Sequence, residues 1–258
     1  MSPLFSLDGQ VAVITGASRG IGRAIALRMA EAGARVVVSS RKEAACQAVV
    51  DEITAAHGPG RAMAVAASLS DKAALAAMVD RTLAEWGHID TLVCNAAANP
   101  YYGPMSGISD EAFRKVLDSN VIANHWLIGM VAPQMRARKA GSIILVSSIG
   151  GLQGSPVIGA YNISKAADMQ MARNLAVEFG PDNVRVNCIA PGLIQTDFSR
   201  ALWDNPTSRT TYETRTPLGR IGLPDEIAGT AVFLAAPASG FITGQVIVAD
   251  GGVTISGI

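Results

Sequence analysis

The chain has 258 residues, no formal net charge, 49% apolar residues and only 16% charged ones. That length can bury a sizeable core by itself, and the balanced charge lacks the clustered basic excess that nucleic acid or an anionic membrane would require of a partner. Cys46, Cys94 and Cys188 are few and far apart, without CxxC or metal-ligand spacing, so they are expected as buried free thiols and no metal is expected. The start, Met-Ser-Pro-Leu-Phe-Ser-Leu-Asp-Gly, has no basic leader pattern, and the final Ile-Ser-Gly-Ile is not a Ser-Lys-Leu address. No apolar run reaches the ~20 residues of a membrane helix. The expectation is a cytoplasmic protein.

In chain order, strands are predicted over 11–15, 35–39, 61–66, 91–95, 142–147, 184–189 and 245–249. All are short, β-branched and nearly continuous in apolar character, as strands covered on both faces are. Between them, helical period runs over 21–32, 42–57, 71–86, 110–138, 161–179 and 224–235. Ser70-Asp71 and Pro224-Asp225-Glu226 are helix-start signals, since oxygen caps, proline and acids suit a helix N-terminus. Regular alternation of this kind implies an α/β fold: a doubly wound, seven-stranded parallel sheet with helices on both faces, in one domain over 1–258. Residues 196–222 show no clean period, and they follow a strand end, so they are expected as an irregular substrate lid.

After the first strand comes Thr15-Gly16-Ala17-Ser18-Arg19-Gly20-Ile21-Gly22, with glycines spaced GxxxGxG. Such a turn lets backbone approach a pyrophosphate, while the following helix offers free N–H groups and its positive end. The second strand ends Ser39-Ser40-Arg41-Lys42, without the acid that would accept from a ribose 2′-hydroxyl. Arg41 stands beside that position and Arg19 approaches from the glycine turn. Two guanidinium groups suit a 2′-phosphate, so NADP(H) is preferred, with NAD(H) left open.

Tyr161 and Lys165 are four apart and share a helix face. Ser148 lies thirteen residues before Tyr161, and Asn120 sits earlier in Asp118-Ser119-Asn120-Val121. With Asn95-Ala96, Asn187-Cys188-Ile189-Ala190-Pro191-Gly192, Arg220-Ile221-Gly222-Leu223-Pro224 and Asp250-Gly251-Gly252, these motifs make the chain resemble the short-chain dehydrogenase/reductase family over nearly its full length. The resemblance implies a Rossmann-type fold and hydride transfer between a nicotinamide and a ketone or secondary alcohol. It implies Tyr161 as proton donor and acceptor, Lys165 as the group that favours its phenolate and holds the nicotinamide ribose, and Ser148 as the stabiliser of the substrate oxygen. Asn120 would anchor a water that connects Lys165 to solvent. A free phenol, with a pKa of about 10, needs such a positive neighbour to act near neutrality. Implied cofactor contacts are Gly16, Ser18, Arg19, Gly20, Ile21, Gly22, Ser40, Arg41, Ser68, Leu69, Asn95, Ala96, Tyr161, Lys165, Pro191, Gly192, Ile194 and Thr196. A homotetramer or dimer is implied as well, with helices 110–138 and 161–179 packing across a two-fold axis.

Three positions, Cys94, Ala97 and Ser68, depart from the family pattern. Cys94-Asn95-Ala96-Ala97-Ala98 replaces the usual Asn-Asn-Ala-Gly, and Ser68 stands where an Asp usually meets the adenine. Ser-Ser-Arg-Lys together with Asn-Ala-Ala-Ala-Asn-Pro resembles the NADPH-dependent carbonyl and dicarbonyl reductases of the family. Asn99, Pro100, Tyr101, Gln153, Val157, Ile158, Leu193, Phe198, Leu202 and Trp203 are expected to wall the substrate pocket, and their mostly apolar character suits a hydrophobic carbonyl compound. His57, His88 and His125 are isolated. Arg136, Arg138 and Lys139 form a small basic cluster, which complements a helix end or attracts an acyl-carrier protein. Reduction of a 3-oxoacyl thioester, or a catalytically silent cofactor-binding module, therefore stay open as alternatives; the intact tetrad opposes the second.

Overall fold

The computed structural model describes residues 2–256. Met1, Gly257 and Ile258 lie outside them, so the end of the Ile-Ser-Gly-Ile sequence does too. The strands are β1 (Val11–Thr15), β2 (Arg35–Ser40), β3 (Ala62–Ala66), β4 (Thr91–Cys94), β5 (Gly141–Val146), β6 (Val184–Pro191) and β7 (Val246–Ala249). Every pairing is parallel, in the order β3-β2-β1-β4-β5-β6-β7. Chain order reverses between β1 and β4, and the crevice beyond the strand ends there is where doubly wound sheets bind ligands.

Helices α1 (Gly20–Glu31), α2 (Glu43–His57) and α9 (Pro224–Ala235) cover one face; α3 (Lys72–Trp86), α5 (Ala123–Arg138) and α6 (Gly159–Phe179) cover the other. Alternate residues of each strand feed the two cores. Ile14, Val36 and Ile144 pack with Ile25, Ile53 and Leu234, whereas Val13, Leu92 and Ile143 pack with Met78, Leu127 and Phe179. Continuous apolar strands are the consequence of this two-sided burial. Asp71 caps α3 by accepting from the Ala74 N–H, and Pro224 begins α9, as their types suggested.

Two expectations need correction. The predicted helix over 110–138 is divided: α4 (Asp110–Leu117) passes through a π-helical turn, Asp118–Ile122, into α5. The apolar period continues across the join, and one extra residue in the turn is invisible to a periodicity argument. The segment 196–222 is not wholly irregular, for it contains α7 (Arg200–Trp203) and α8 (Pro206–Arg215). α8 buries none of its residues, so it has no apolar period to read. Its signals are local: Pro206 at the first position and Asn205 accepting from the Ser208 N–H.

The end of that segment is clipped to α9. Arg220 donates to both carboxylate oxygens of Glu226, at 2.8 and 2.6 Å, and the Leu223 N–H donates to Glu226 at 2.8 Å. The Arg220 bonds, then the Leu223 N–H, hold the Glu226 carboxyl down to about 2. A depressed carboxylate stabilises the fold above its ordinary range and loses that effect as the pH falls through its folded value. Thermal unfolding between pH 4.5 and 2 should therefore fall less steeply in Glu226→Gln than in wild type. Because the pair is largely solvated, the difference should stay below about 1 kcal/mol. Parallel curves for the two proteins would contradict it.

Candidate active site

At the reversal of strand order, Thr15 at the end of β1 organises the glycine turn. Its hydroxyl accepts from the Asn95 N–H at 3.0 Å and the Ala96 N–H at 3.1 Å. The Asn95 side chain donates to the carbonyls of Thr15, at 2.9 Å, and Gly16, at 3.3 Å. Asn95 and Ala96 thus brace the turn from the side. A Cβ on Gly22 would collide with Asn95 Nδ2 and the Gly16 carbonyl, and Gly16 has a φ of 64°, so both positions require glycine. Arg19 precedes α1 with no side chain capping the helix, which leaves the N–H groups of Gly20, Ile21 and Gly22 for an anion. Ser18 is half-buried in the same turn. These features fit a pyrophosphate.

At the edge of β2, Ser40 Oγ lies 3.1 Å from Cys46 Sγ, and Arg41 is exposed with no ion-pair partner among the described residues. Arg19 is exposed as well, 3.9 Å from Asp197. Beyond β3, Ser68 bonds Ser70 at 2.9 Å, and Leu69 packs on the core beside them. Pro191 ends β6, and a Cβ on Gly192 would press on Asp250 at 2.8 Å. Ile194 pairs with Gly222, while Thr196 accepts from Trp203 Nε1 at 2.8 Å and bonds Ser199 at 3.0 Å.

The four candidate catalytic residues come from three places. Ser148 follows β5 and accepts from the Gly150 N–H at 3.0 Å. Its own O–H has no protein acceptor among the described bonds. The π-helical turn carries Asn120, which is fully buried and grips the Ala98 backbone: its Oδ1 accepts from the Ala98 N–H at 2.7 Å, and its Nδ2 donates to the Ala98 carbonyl at 3.0 Å. It also donates to Ser164 Oγ at 3.0 Å, and its carbonyl accepts from Asn124 Nδ2. Tyr161 and Lys165 lie in the first two turns of α6, with Nζ 5.7 Å from the Tyr161 ring centroid.

Lys165 is the largest fully buried side chain described, and its ammonium donates to the Val146 carbonyl at 2.8 Å and to Asp168 at 3.0 Å. Burial opposes the charge, but the adjacent Asp168 carboxylate, with Tyr161 and Cys188 adding to it, holds the Lys165 amine above its usual range. Burial pushes the Asp168 carboxyl up, with Lys165 and Asn124 opposing. Asp168 and Asn124 escaped the sequence reading. The available signal was a polar residue three positions after Lys165, on a helix face otherwise lined by Met169, Ala172 and Ala176.

Of the expected pocket residues, Phe198 is brought to Tyr161, with ring centroids 6.1 Å apart, and Trp203 is held beside Thr196. Ile158 caps α6, and the Val157 carbonyl accepts from the Gly103 N–H at 2.8 Å. The Gln153 carbonyl accepts from Asn162, although its side chain is exposed, and the Leu193 carbonyl accepts from the Gly222 N–H. Asn99 and Leu202 are half-buried; Pro100 is exposed, and the Tyr101 hydroxyl donates to the Pro104 carbonyl. The basic cluster is largely neutralised, since Arg136 pairs with Asp182 at 2.7 Å and Arg138 with Asp90 at 2.9 Å. Cys46, Cys94 and Cys188 are buried free thiols. Among the described residues no group of three or more His, Cys, Asp or Glu is placed to hold a metal, and no helix is long and apolar enough to cross a membrane.

The fold and its relatives define an NAD(P)-dependent oxidoreductase, and the chain belongs to the short-chain dehydrogenase/reductase family. Residues 16–254 match the protein-family model described as Enoyl-(Acyl carrier protein) reductase. The chain is 40% identical to dehydrogenase/reductase SDR family member 4 of Bos taurus and 39% identical to that of Homo sapiens, each over 95% of this chain and 88% of the relative. A solved 7 alpha-hydroxysteroid dehydrogenase complexed with NADH and 7-oxo glycochenodeoxycholic acid superposes with a TM-score of 0.93 at 36% identity, covering 98% of this chain and 97% of that one. Gluconate 5-dehydrogenase from Burkholderia cenocepacia in complex with NADP and tartrate gives 0.93 at 32% identity, covering 98% of both chains. A nicotinamide cofactor follows from this kinship.

The buried ion pair makes a stability prediction. Lys165→Met leaves the Asp168 carboxylate without its counter-charge and should cost about 3–5 kcal/mol in denaturant unfolding. Adding Asp168→Leu should recover most of that loss, because an apolar pair of similar volume can replace a buried ion pair. Equal destabilisation in the single and double variants would contradict the prediction.

Proposed function

We propose that the protein is an NADP(H)-dependent reductase of hydrophobic ketones or diketones, with oxidation of the matching secondary alcohol as the reverse reaction. The observation that carries this reading is the Lys165 ammonium, buried and kept charged beneath the ring of Tyr161. The nicotinamide supplies the hydride in reduction and accepts it in oxidation. The Tyr161 hydroxyl gives its proton to the substrate oxygen during reduction and takes it back during oxidation, and Lys165 stabilises the charge left on the phenol oxygen. Ser148 points its unengaged O–H at the same substrate oxygen and offsets its developing charge. Lys165 also holds the ribose. Asn120 fixes the Ala98 wall and anchors a water that connects Lys165 to solvent.

For the nucleotide, the glycine turn with Gly16, Ser18, Gly20, Ile21 and Gly22 takes the pyrophosphate. Ser68, Leu69, Asn95 and Ala96 line the adenosine end. Pro191, Gly192, Ile194 and Thr196 hold the carboxamide, fixing the ring face that delivers hydride. Ser40 leaves the end of β2 without a carboxylate, so Arg41 and Arg19 take the 2′-phosphate. Residues 196–222 act as the lid, and Leu193, Phe198 and Trp203 meet the substrate against Asn99, Gln153, Val157 and Ile158. Kinship with a dehydrogenase solved with a 7-oxo steroid acid supports a hydrophobic ketone. The ion pairs of Arg136 and Arg138 leave little free charge for an acyl-carrier protein. Exposed Ile122, Ile163 and Val177 on and beside α5 and α6 support a homodimer or homotetramer; its proposed location is the cytoplasm.

The test is NADPH and NADH oxidation over ketones, diketones, quinones and an acetoacetyl thioester. Turnover should be faster with NADPH, and Tyr161→Phe should abolish it. Arg41→Ala with Arg19→Ala should lower kcat/KM for NADPH by about 10–100-fold, a loss of one or two charge-assisted contacts, and leave NADH nearly unchanged. Faster turnover with NADH in wild type would contradict the NADP(H) assignment, and turnover confined to the thioester would favour the acyl reading. Cofactor binding with no turnover on any member would favour the silent module.

A further inference from the structure

A buried ion pair is not needed to hold α6 in place. Met169, Ala172, Ala176 and Phe179 already pack that helix on the sheet, and an apolar pair of similar volume often replaces a buried ion pair at little cost in stability. Yet Asp168 is completely buried, one turn after Lys165, with Oδ2 3.0 Å from Nζ. Its other oxygen accepts from Asn124 Nδ2 at 3.1 Å, and the same amide reaches the Asn120 carbonyl at 2.6 Å. Hydrogen bonds therefore run without a break from the ammonium through Asp168 and Asn124 to the π-helical turn that carries Asn120.

We propose that Asp168 is a positioning residue for hydride transfer: it keeps the Lys165 amine protonated and pinned against the Val146 carbonyl under Tyr161, while Asn124 braces the carboxylate. The role rests on the Tyr161–Lys165 reading above. A lysine this deeply buried without a counter-charge gives up its proton near or below neutrality, and Tyr161 would then face a neutral amine. The other groups around Asp168 do not compete for the role. From β4 and β6, Cys94 and Cys188 face it, and burial pushes both thiols up so that they stay neutral. The Cys188 thiol donates to the Asp168 backbone carbonyl at 3.4 Å rather than to its carboxylate. From α5 the facing group is the neutral Asn124; on α6 itself Tyr161 adds to the effect of Asp168 on Lys165, whose ammonium hydrogen-bonds Asp168 and not Tyr161, and Arg173 acts on Cys188.

The experiment needs no substrate. The chain has five lysines, so 13C labelling at lysine Cε gives few signals, and the one absent from Lys165→Arg belongs to Lys165. In wild type that signal should remain at its charged position up to about pH 10. In Asp168→Asn its titration midpoint should fall by at least about two pH units. Asp168→Ser, which leaves room in place of the amide, carries the same comparison should Asn fold poorly, and thermal unfolding checks that each variant is native. A Lys165 that stays charged to the same pH in the folded variants would overturn the proposal. With NADP+ and 2-octanol, Asp168→Asn should also need higher pH for half-maximal oxidation and lose kcat at least 10-fold, with a smaller change in KM. Turnover retained by Tyr161→Phe would instead defeat the Tyr161 proton-transfer reading, while the lysine titration would still decide whether Asp168 sets the charge.

Discussion

A primary ammonium sits inside an apolar layer between sheet and helix, and the arrangement of the site depends on how that charge is held. Lys165 has a water exposure of 2%, which would be costly for an unpaired cation. It is tolerated because three elements converge on it. β5 ends with the Val146 carbonyl aimed at Nζ, α6 supplies Asp168, and α5 supplies the amide that completes the carboxylate's bonding. The Ser147 hydroxyl, donating to the Lys165 carbonyl at 2.8 Å, ties the same turn of α6 to the end of β5. Ser148 is the next residue along. The α6 turn that carries Lys165, and Ser148, are thus referred to one strand end.

The nucleotide end follows the same logic by other means. Parallel strands that reverse order between β1 and β4 leave a crevice, and Thr15 fills its floor by bonding the backbone beyond β4. With Asn95 reaching back to two carbonyls of the glycine turn, β1 and β4 are cross-linked just where a pyrophosphate needs exposed N–H groups. The loop 95–98 is then held at its far end by Asn120. One short loop is therefore gripped by the glycine turn on one side and by the π-helical turn on the other, so the proposed nucleotide and substrate sites share a wall.

Most of this was readable in the sequence. Strand identity survived because two-sided burial writes continuous β-branched runs such as Val36, Val37 and Val38, and strand ends moved by only one or two residues. The glycine turn and Tyr161–Lys165 were legible as spacing. The reading failed where structure is set by a single local bond instead of a period. The π-helical turn at 118–122 leaves the apolar pattern intact, and α8 buries nothing, so neither changes the hydrophobic rhythm. Asn95 was expected as a cofactor contact, and the bracing of the glycine turn by its amide was not read from the sequence. Asp168 and Asn124 were missed because each is a lone polar residue on an apolar helix face, and their meaning lies in a contact between helices 44 residues apart.

The claim on which the account rests is hydride transfer to carbon, with the proton delivered separately by Tyr161. The most direct measurement is the fate of isotope during reduction of a diketone by NADPH carrying deuterium at both C4 positions, in ordinary water. The account predicts one deuterium on the new carbinol carbon and a slower single turnover than with unlabelled NADPH. It also predicts that the same reaction with unlabelled NADPH in deuterium oxide places no solvent deuterium on the carbinol carbon. Deuterium lost to solvent, or solvent deuterium found at the carbinol carbon, would contradict it.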